Sequence, residues 1–319
     1  MKKALLMLLA AAIVGAGVTP TDVEAATRKK AVAAKKKASR VVVQITARKV
    51  VHAKLAHSNA FLDDARHLAL QSSAALVLDQ TTGAILYEKN PTAVLPIASI
   101  TKLMTAMVVL DSKPDLNETL DIGDQDVDIL KGTRSRLKVG THLAREEMLR
   151  LALMSSENRA AASLSRHYPG GREAFISAMN QKAQTLGLVD TRFQDPTGLT
   201  AANVSSPRDL AKMVDAAHQY PLIREFSTTS EGEFSIAGRQ QQFHNTNTLV
   251  KNPTWEIGLS KTGYINEAGK CLVMQAWLNN KPIIIVLLDS WGKMTRIGDA
   301  NRIKRWVESA SLAQRQSAG

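Results

Sequence analysis

The chain opens its ordered pattern with two short apolar runs. Ala74-Ala75-Leu76-Val77-Leu78 and Ile85-Leu86-Tyr87 flank a turn from Asp79 to Gly83, which predicts a β-hairpin. From about 97 to 220 the period becomes helical. Met104, Met107, Val108 and Leu110 recur at helical spacing, and residues 146–154 predict another helix. Ser206-Pro207-Arg208-Asp209 reads as a capping box with proline at the first helical position, opening a helix over 210–217. Strands return at 258–264, 271–278 and 283–288, the last two joined by Asn279-Asn280-Lys281-Pro282. A final helix carries Ile297, Ala300, Ile303, Trp306 or Val307, and Ala310 on one face. That stripe suits a membrane surface or the face of a sheet, and the strands just before it favour the sheet. Two strands, many helices, three strands and a helix predict an α+β fold: an antiparallel sheet shared by N- and C-terminal strands, flanked by helices, with a mainly helical subdomain.

Upstream of this pattern lies a different kind of sequence. Lys2 and Lys3 precede an uncharged apolar stretch, Ala4 to Val18, and Val23-Glu24-Ala25 offers small residues before a cut. This predicts a signal peptide over residues 1–25, Ala26 as the first mature residue, and export to the periplasm. An uncleaved anchor is the alternative, but the run is shorter than the ~20 residues that span a bilayer. Residues 26–65 carry Arg28, Lys29, Lys30, Lys35, Lys36, Lys37, Arg40, Arg48 and Lys49, and no sustained period beyond Val41-Val42-Val43-Gln44-Ile45. They read as a basic, disordered linker. The net charge of +12 is partly local to this stretch. In an exported chain its counterparts are wall or membrane anions, weakly attracted, and not nucleic acid. The lone cysteine, Cys271, excludes an intramolecular disulfide and sits in an apolar run as a buried small hydrophobe.

Three short motifs carry candidate chemistry: Ser99-Ile100-Thr101-Lys102, Ser156-Glu157-Asn158 and Lys261-Thr262-Gly263. Each alone is weak. Ser290-Trp291-Gly292-Lys293 repeats the first spacing, but at a strand end before a glycine turn. Ser99 instead stands just past Pro96, where an apolar helix begins. Residues three apart on a helix share a face, so Lys102 reaches Ser99 and, if kept neutral by a dry site and a second cation at Lys261, accepts its proton. The helix N-terminus offers the Ser99 N–H to an oxyanion. Ser156 can relay a proton between Lys102 and a leaving amine. Asn158 can bond substrate or orient Lys102. The alternative for this second motif is helix capping by Ser155 or Ser156. On the third motif's strand, Lys261 offers charge to a carboxylate, Thr262 a hydroxyl, Gly263 close approach and Tyr264 a second oxyanion N–H. The alternative is an exposed strand ending at a glycine.

Together these residues resemble the low-molecular-mass penicillin-binding proteins, the D-Ala-D-Ala carboxypeptidase and endopeptidase family. The likeness extends through Ile97 to Thr105, Asp195-Pro196-Thr197-Gly198-Leu199, and Lys261-Thr262-Gly263-Tyr264 to Ala268-Gly269-Lys270-Cys271-Leu272-Val273. It implies a penicillin-binding-protein or serine β-lactamase-like fold and a DD-peptidase domain over 66–312, with 313–319 as a tail. Ser99 would then be the acyl-ester nucleophile, Lys102 the proton acceptor, Ser156 the second-motif serine and Lys261 a substrate-binding residue. No cofactor or metal is implied. Peptidoglycan stem peptides would be the substrates, and β-lactams covalent inhibitors. Only 56 residues follow Gly263, so the chain is similar to the smaller, penicillin-binding protein 7 type of D-alanyl-D-alanine endopeptidase, with carboxypeptidase action as the alternative. A class A β-lactamase would also need a Glu-x-x-Leu-Asn pattern after the second motif, which is missing. A non-catalytic wall-binding protein would have no use for the motif trio. A metallopeptidase is disfavoured by scattered His142, His167, His218 and His244.

Overall fold

The computed structural model describes residues 68–292 and 294–316, with side chains as far as Ala310. The expected signal peptide and basic linker lie outside the described residues. β1 (Ala74–Asp79) and β2 (Ile85–Lys89) form the expected hairpin. β3 (Leu95–Pro96) leads through one 3₁₀ turn, Ala98–Ile100, into α1 (Thr101–Asp111). β4 (Thr119–Asp121) pairs with β5 (His142–Ala144), and α2 (Arg145–Met154), α3 (Asn158–Arg166) and α4 (Gly171–Thr185) follow. β6 (Val204–Ser205) returns to pair with β3 before α5 (Pro207–His218) and α6 (Pro221–Thr228). The chain ends in a hairpin of β7 (Glu231–Ile236) and β8 (Arg239–His244), then β9 (Glu256–Ile265), β10 (Gly269–Leu278), β11 (Lys281–Ser290) and α7 (Thr295–Gln316).

The main sheet runs β2-β1-β11-β10-β9, with every neighbour antiparallel. Its N- and C-terminal strands therefore share one sheet, as the order of apolar runs predicts. Both faces are covered, which is why β10 and β11 read as continuous apolar runs without polar alternation. Cys271, Val273, Ile284, Val286 and Leu288 face the helical side. Leu272, Met274, Ile283, Ile285 and Leu287 face Ala300, Ile303, Trp306 and Val307 of α7. The terminal apolar stripe thus packs on the sheet. Each buried Ile or Leu there stabilises the fold by roughly 1.5–3 kcal/mol.

α1 is enclosed on all sides: Leu103, Met104, Ala106, Met107, Val108 and Val109 are buried, and so is Lys102. An element apolar all round belongs in the middle of a domain. Its N-terminal turn faces the edge strand β9, and this places Ser99 at the seam between sheet and helices.

One local expectation is corrected. Ser206 caps α5 by accepting from the Asp209 N–H at 3.3 Å. The reciprocal half of the capping box is missing, because the Asp209 carboxylate turns to the Asp190 N–H (2.6 Å) and Thr191 hydroxyl (3.0 Å). The β7–β8 hairpin has no counterpart in the hydropathy reading. Only Phe234, Ile236 and Phe243 are buried in it, and these few apolar positions are too sparse to register as strands.

Candidate active site

The nucleophile turn is held from several directions. Ile97 N–H donates to the Asn203 carbonyl at 3.0 Å, and Thr101 Oγ1 donates to the Ala98 carbonyl at 2.8 Å. Asn203 Nδ2 in turn donates to Thr101 Oγ1 at 3.0 Å. Ala98 itself has φ +46°, a left-handed conformation that costs a non-glycine residue of order 1–3 kcal/mol. Against this turn lies the loop from Asp195. The Asp195 carboxylate accepts from the N–H groups of Thr197 (2.6 Å), Gly198 (2.5 Å) and Thr200 (2.8 Å), which folds the loop on itself. Gly198 has φ +82°, and a Cβ on it would sit 1.9 Å from the Ala98 carbonyl oxygen, so the loop lies flush on the nucleophile turn.

Ser99, Lys102 and Asn158 are brought into one hydrogen-bonded group. Lys102 Nζ lies 2.9 Å from Ser99 Oγ, 2.7 Å from Asn158 Oδ1 and 2.7 Å from the Thr197 carbonyl oxygen. Two of these three partners, the amide and peptide carbonyl oxygens, can only accept. A neutral amine has two hydrogens and one lone pair. Its hydrogens go to those two oxygens, and its lone pair is left facing the Ser99 hydroxyl. The site therefore aims the lysine as a base. Burial lowers the Lys102 pKa to about 7, although the Asp195 and Glu157 carboxylates work the other way. The expected dry site is thus the cause of the depression, while the charge of Lys261, expected to add to it, is not among the causes.

Ser156 and Lys261 form a second pair. Lys261 is fully buried on β9 and donates to Ser156 Oγ at 2.9 Å and to the Thr262 carbonyl at 3.0 Å. Burial, then the charges of Lys102 and Arg296, push its pKa well below the usual lysine value. At rest the Ser156 hydroxyl accepts from Lys261, and none of the described hydrogen bonds joins it to Lys102. Ser156 has φ +62° in the link between α2 and α3. The capping alternative is not what these serines do: Ser155 Oγ bonds back to the Leu151 carbonyl, and the N-cap of α3 is Glu157.

The third motif is the edge strand itself. Thr262 Oγ1 donates to Thr246 Oγ1 at 2.6 Å, and Arg296 from the start of α7 donates to the Gly263 carbonyl at 3.2 Å. The Tyr264 ring is exposed, with Lys270 Nζ 4.1 Å from its centroid. Beside Asn158 and Thr197 a cavity of about 530 Å³ opens, lined also by Gln194, Leu199 and Arg172. Thr133, Thr197, Thr246 and Arg296 also bond to the motif residues, although nothing in their local sequence marks them. Only the resemblance points to the Asp195 loop, which contains Thr197.

The profile of peptidase S11, described as D-alanyl-D-alanine carboxypeptidase, matches residues 61–292. The chain belongs to the peptidase S11 family. It is a serine peptidase of the penicillin-binding-protein fold. It is 52% identical over 247 residues to the D-alanyl-D-alanine endopeptidase of Pseudomonas aeruginosa, covering 76% of this chain and 79% of the relative. It is 49% identical over 245 residues to the D-alanyl-D-alanine endopeptidase of Escherichia coli, with the same coverages of 76% and 79%. The crystal structure of the Streptomyces K15 DD-transpeptidase superposes with a TM-score of 0.70 at 28% identity, over 75% of this chain and 97% of that one. Among the described residues of this family member no helix is long and apolar enough to cross a membrane.

Proposed function

We propose that this S11 peptidase is an exported D-alanyl-D-alanine endopeptidase, which cuts D-Ala–diaminopimelate cross-links in peptidoglycan through an acyl-enzyme on Ser99. The observation that carries the chemistry is the pair of acceptor-only oxygens on Lys102, which turns its lone pair toward Ser99 Oγ. The two relatives named endopeptidase support the choice of bond.

Ser99 Oγ attacks the carbonyl carbon of the cross-linking D-Ala while its proton passes to Lys102 Nζ. The N–H groups of Ser99 and Tyr264 receive the developing oxyanion. Collapse breaks the peptide bond, and the proton held on Lys102 passes by way of Ser156 to the departing amine of the neighbouring stem. Water then hydrolyses the ester and restores Ser99. Lys261 and the Thr262 hydroxyl bind the substrate carboxylate, and the stem peptide lies along β9 as an added strand. A β-lactam acylates Ser99 in the same way, but its leaving amine stays tethered. The catalytic domain spans 66–312, preceded by a signal peptide (1–25) and a basic linker (26–65) that is weakly attracted to wall or membrane anions.

The test offers the purified protein a cross-linked muropeptide dimer and a monomer bearing a pentapeptide stem, with products read by mass spectrometry and Ser99→Ala as control. Conversion of dimer to monomers is the expected result. Loss of a single alanine from the pentapeptide alone would make the chain a carboxypeptidase.

A further inference from the structure

The loop after β4 reaches the catalytic group by a route that the three motifs do not contain. The Asp128 carboxylate accepts from the N–H groups of Leu130 (2.9 Å), Lys131 (3.0 Å) and Thr133 (2.9 Å) and from Thr133 Oγ1 (2.7 Å). Partial burial works to raise its pKa, but these bonds hold it below the usual carboxylate range, so it is an acceptor at neutral pH. Asn158 Nδ2 donates to Thr133 Oγ1 at 3.2 Å.

The direction of each bond follows from the one before it. An ionised carboxylate has no hydrogen to give, so the Thr133 hydroxyl spends its hydrogen on Asp128. The Thr133 oxygen then presents only lone pairs to Asn158. The Asn158 amide must turn its NH₂ to Thr133 and its Oδ1 to Lys102. With Oδ1 on Lys102, the amine hydrogen is taken up there and the lone pair faces Ser99. A flipped amide would aim Nδ2–H at Lys102, occupy that lone pair, and turn an amine N–H toward Ser99. The side chain would then be unable to accept the serine proton.

We propose that Thr133, polarised by Asp128, is a positioning residue that fixes the orientation of the Asn158 amide and thereby keeps Lys102 aimed as a base. This rests on the reading of Ser99 as the nucleophile. The hydrogen bonds of Thr133 go to Asp128 and Asn158, and it acts on Lys102 through Asn158.

The experiment measures the second-order rate of acylation by a fluorescent penicillin, with the thermal midpoint recorded for every variant. Thr133→Val, equal in shape but without the hydroxyl, should acylate about tenfold more slowly. Thr133→Ser, which keeps the hydroxyl, should recover most of that loss. In an Asn158→Ala background, Thr133→Val should cost less than about twofold more, because the group it orients is gone. Three results would overturn the proposal: a Thr133→Val rate within about twofold of the parent, a Thr133→Ser rate as low as that of the valine variant, or a full multiplicative loss on Asn158→Ala. Covalent labelling of Ser99→Ala would instead bring down the nucleophile reading beneath it, and that outcome is read independently of Thr133.

Discussion

Gly263 passes Ser99 so closely that a Cβ on it would lie 3.1 Å from the Ser99 amide nitrogen and 2.8 Å from the Ile97 carbonyl oxygen. The glycine is what allows the edge strand and the nucleophile turn to share one site. Gly263→Ala must move β9 or the turn by a few tenths of an ångström or more. We predict that it slows acylation by about 10²-fold, since small misplacements of reacting groups cost that much. Fluorescent penicillin labelling alongside a thermal melt checks it. A parental rate would mean that β9 can recede without consequence.

The pH dependence of acylation follows from Lys102. Its pKa is lowered to about 7. Above that value it is neutral and accepts the Ser99 proton; below it the amine is protonated and does not. The rate should therefore rise with pH through about 7 and fall roughly tenfold per unit on the acid side. Lys102→Arg, charged at every accessible pH, should be inactive throughout. A flat profile between about pH 5 and 8 would contradict the assignment of Lys102 as base.

Ser156 combines a functional hydroxyl with a strained backbone, φ +62°. Ser156→Ala and Ser156→Gly both remove the partner of Lys261, and both should lose about 10²-fold or more in acylation. They should part company in stability. Glycine adopts this conformation freely, so the glycine variant should melt above the alanine variant. Equal midpoints would show that the strain is relieved elsewhere.

Asp299 on α7 is buried and ties the segment before β1 to that helix. It accepts from Ser72 N–H (2.8 Å), Ser72 Oγ (2.6 Å) and Gln71 N–H (3.1 Å), and pairs with Arg302. Burial works to raise its pKa, but the bonds from Ser72, Gln71 and Arg302 hold it below the usual range. A carboxyl depressed in the folded state stabilises above its unfolded pKa and loses that contribution as pH falls through the folded value. Asp299→Asn should cost about 1–3 kcal/mol at neutral pH, and less in acid. Urea unfolding at two pH values measures both.

Local relationships were the most legible in the sequence, and one long-range relationship, the sheet shared by N- and C-terminal strands, followed from the order of the apolar runs. Ser99 and Lys102 are three residues apart, and helical geometry alone puts them together. The hairpin of β1 and β2 and the apolar stripe of α7 follow from periodicity. The pairing of Ser156 with Lys261 spans 105 residues, and that of Asn158 with Thr133 spans 25. No spacing rule reaches either, because both depend on how the helical layer closes on the edge strand. The dry site around Lys102 was expected from the motif, but how dry it is could not be read the same way. Its chemical neighbours can be guessed from motifs, but the depth at which α1 is enclosed is a property of the whole fold. β7 and β8 escaped because Phe234, Ile236 and Phe243 are their only core positions.

The register of the main sheet carries a consequence in time. Ala74, in the first strand, lies opposite Leu288, in the last, and β11 is what joins β1 to β10 and β9. A polypeptide halted before Lys281 has no strand to join β1 to β10, so the sheet whose edge is the Lys261 strand stays open. The sheet that backs the Ser99 turn is therefore completed only by the last strand the chain supplies, and the two ends of the domain must meet before its platform is whole.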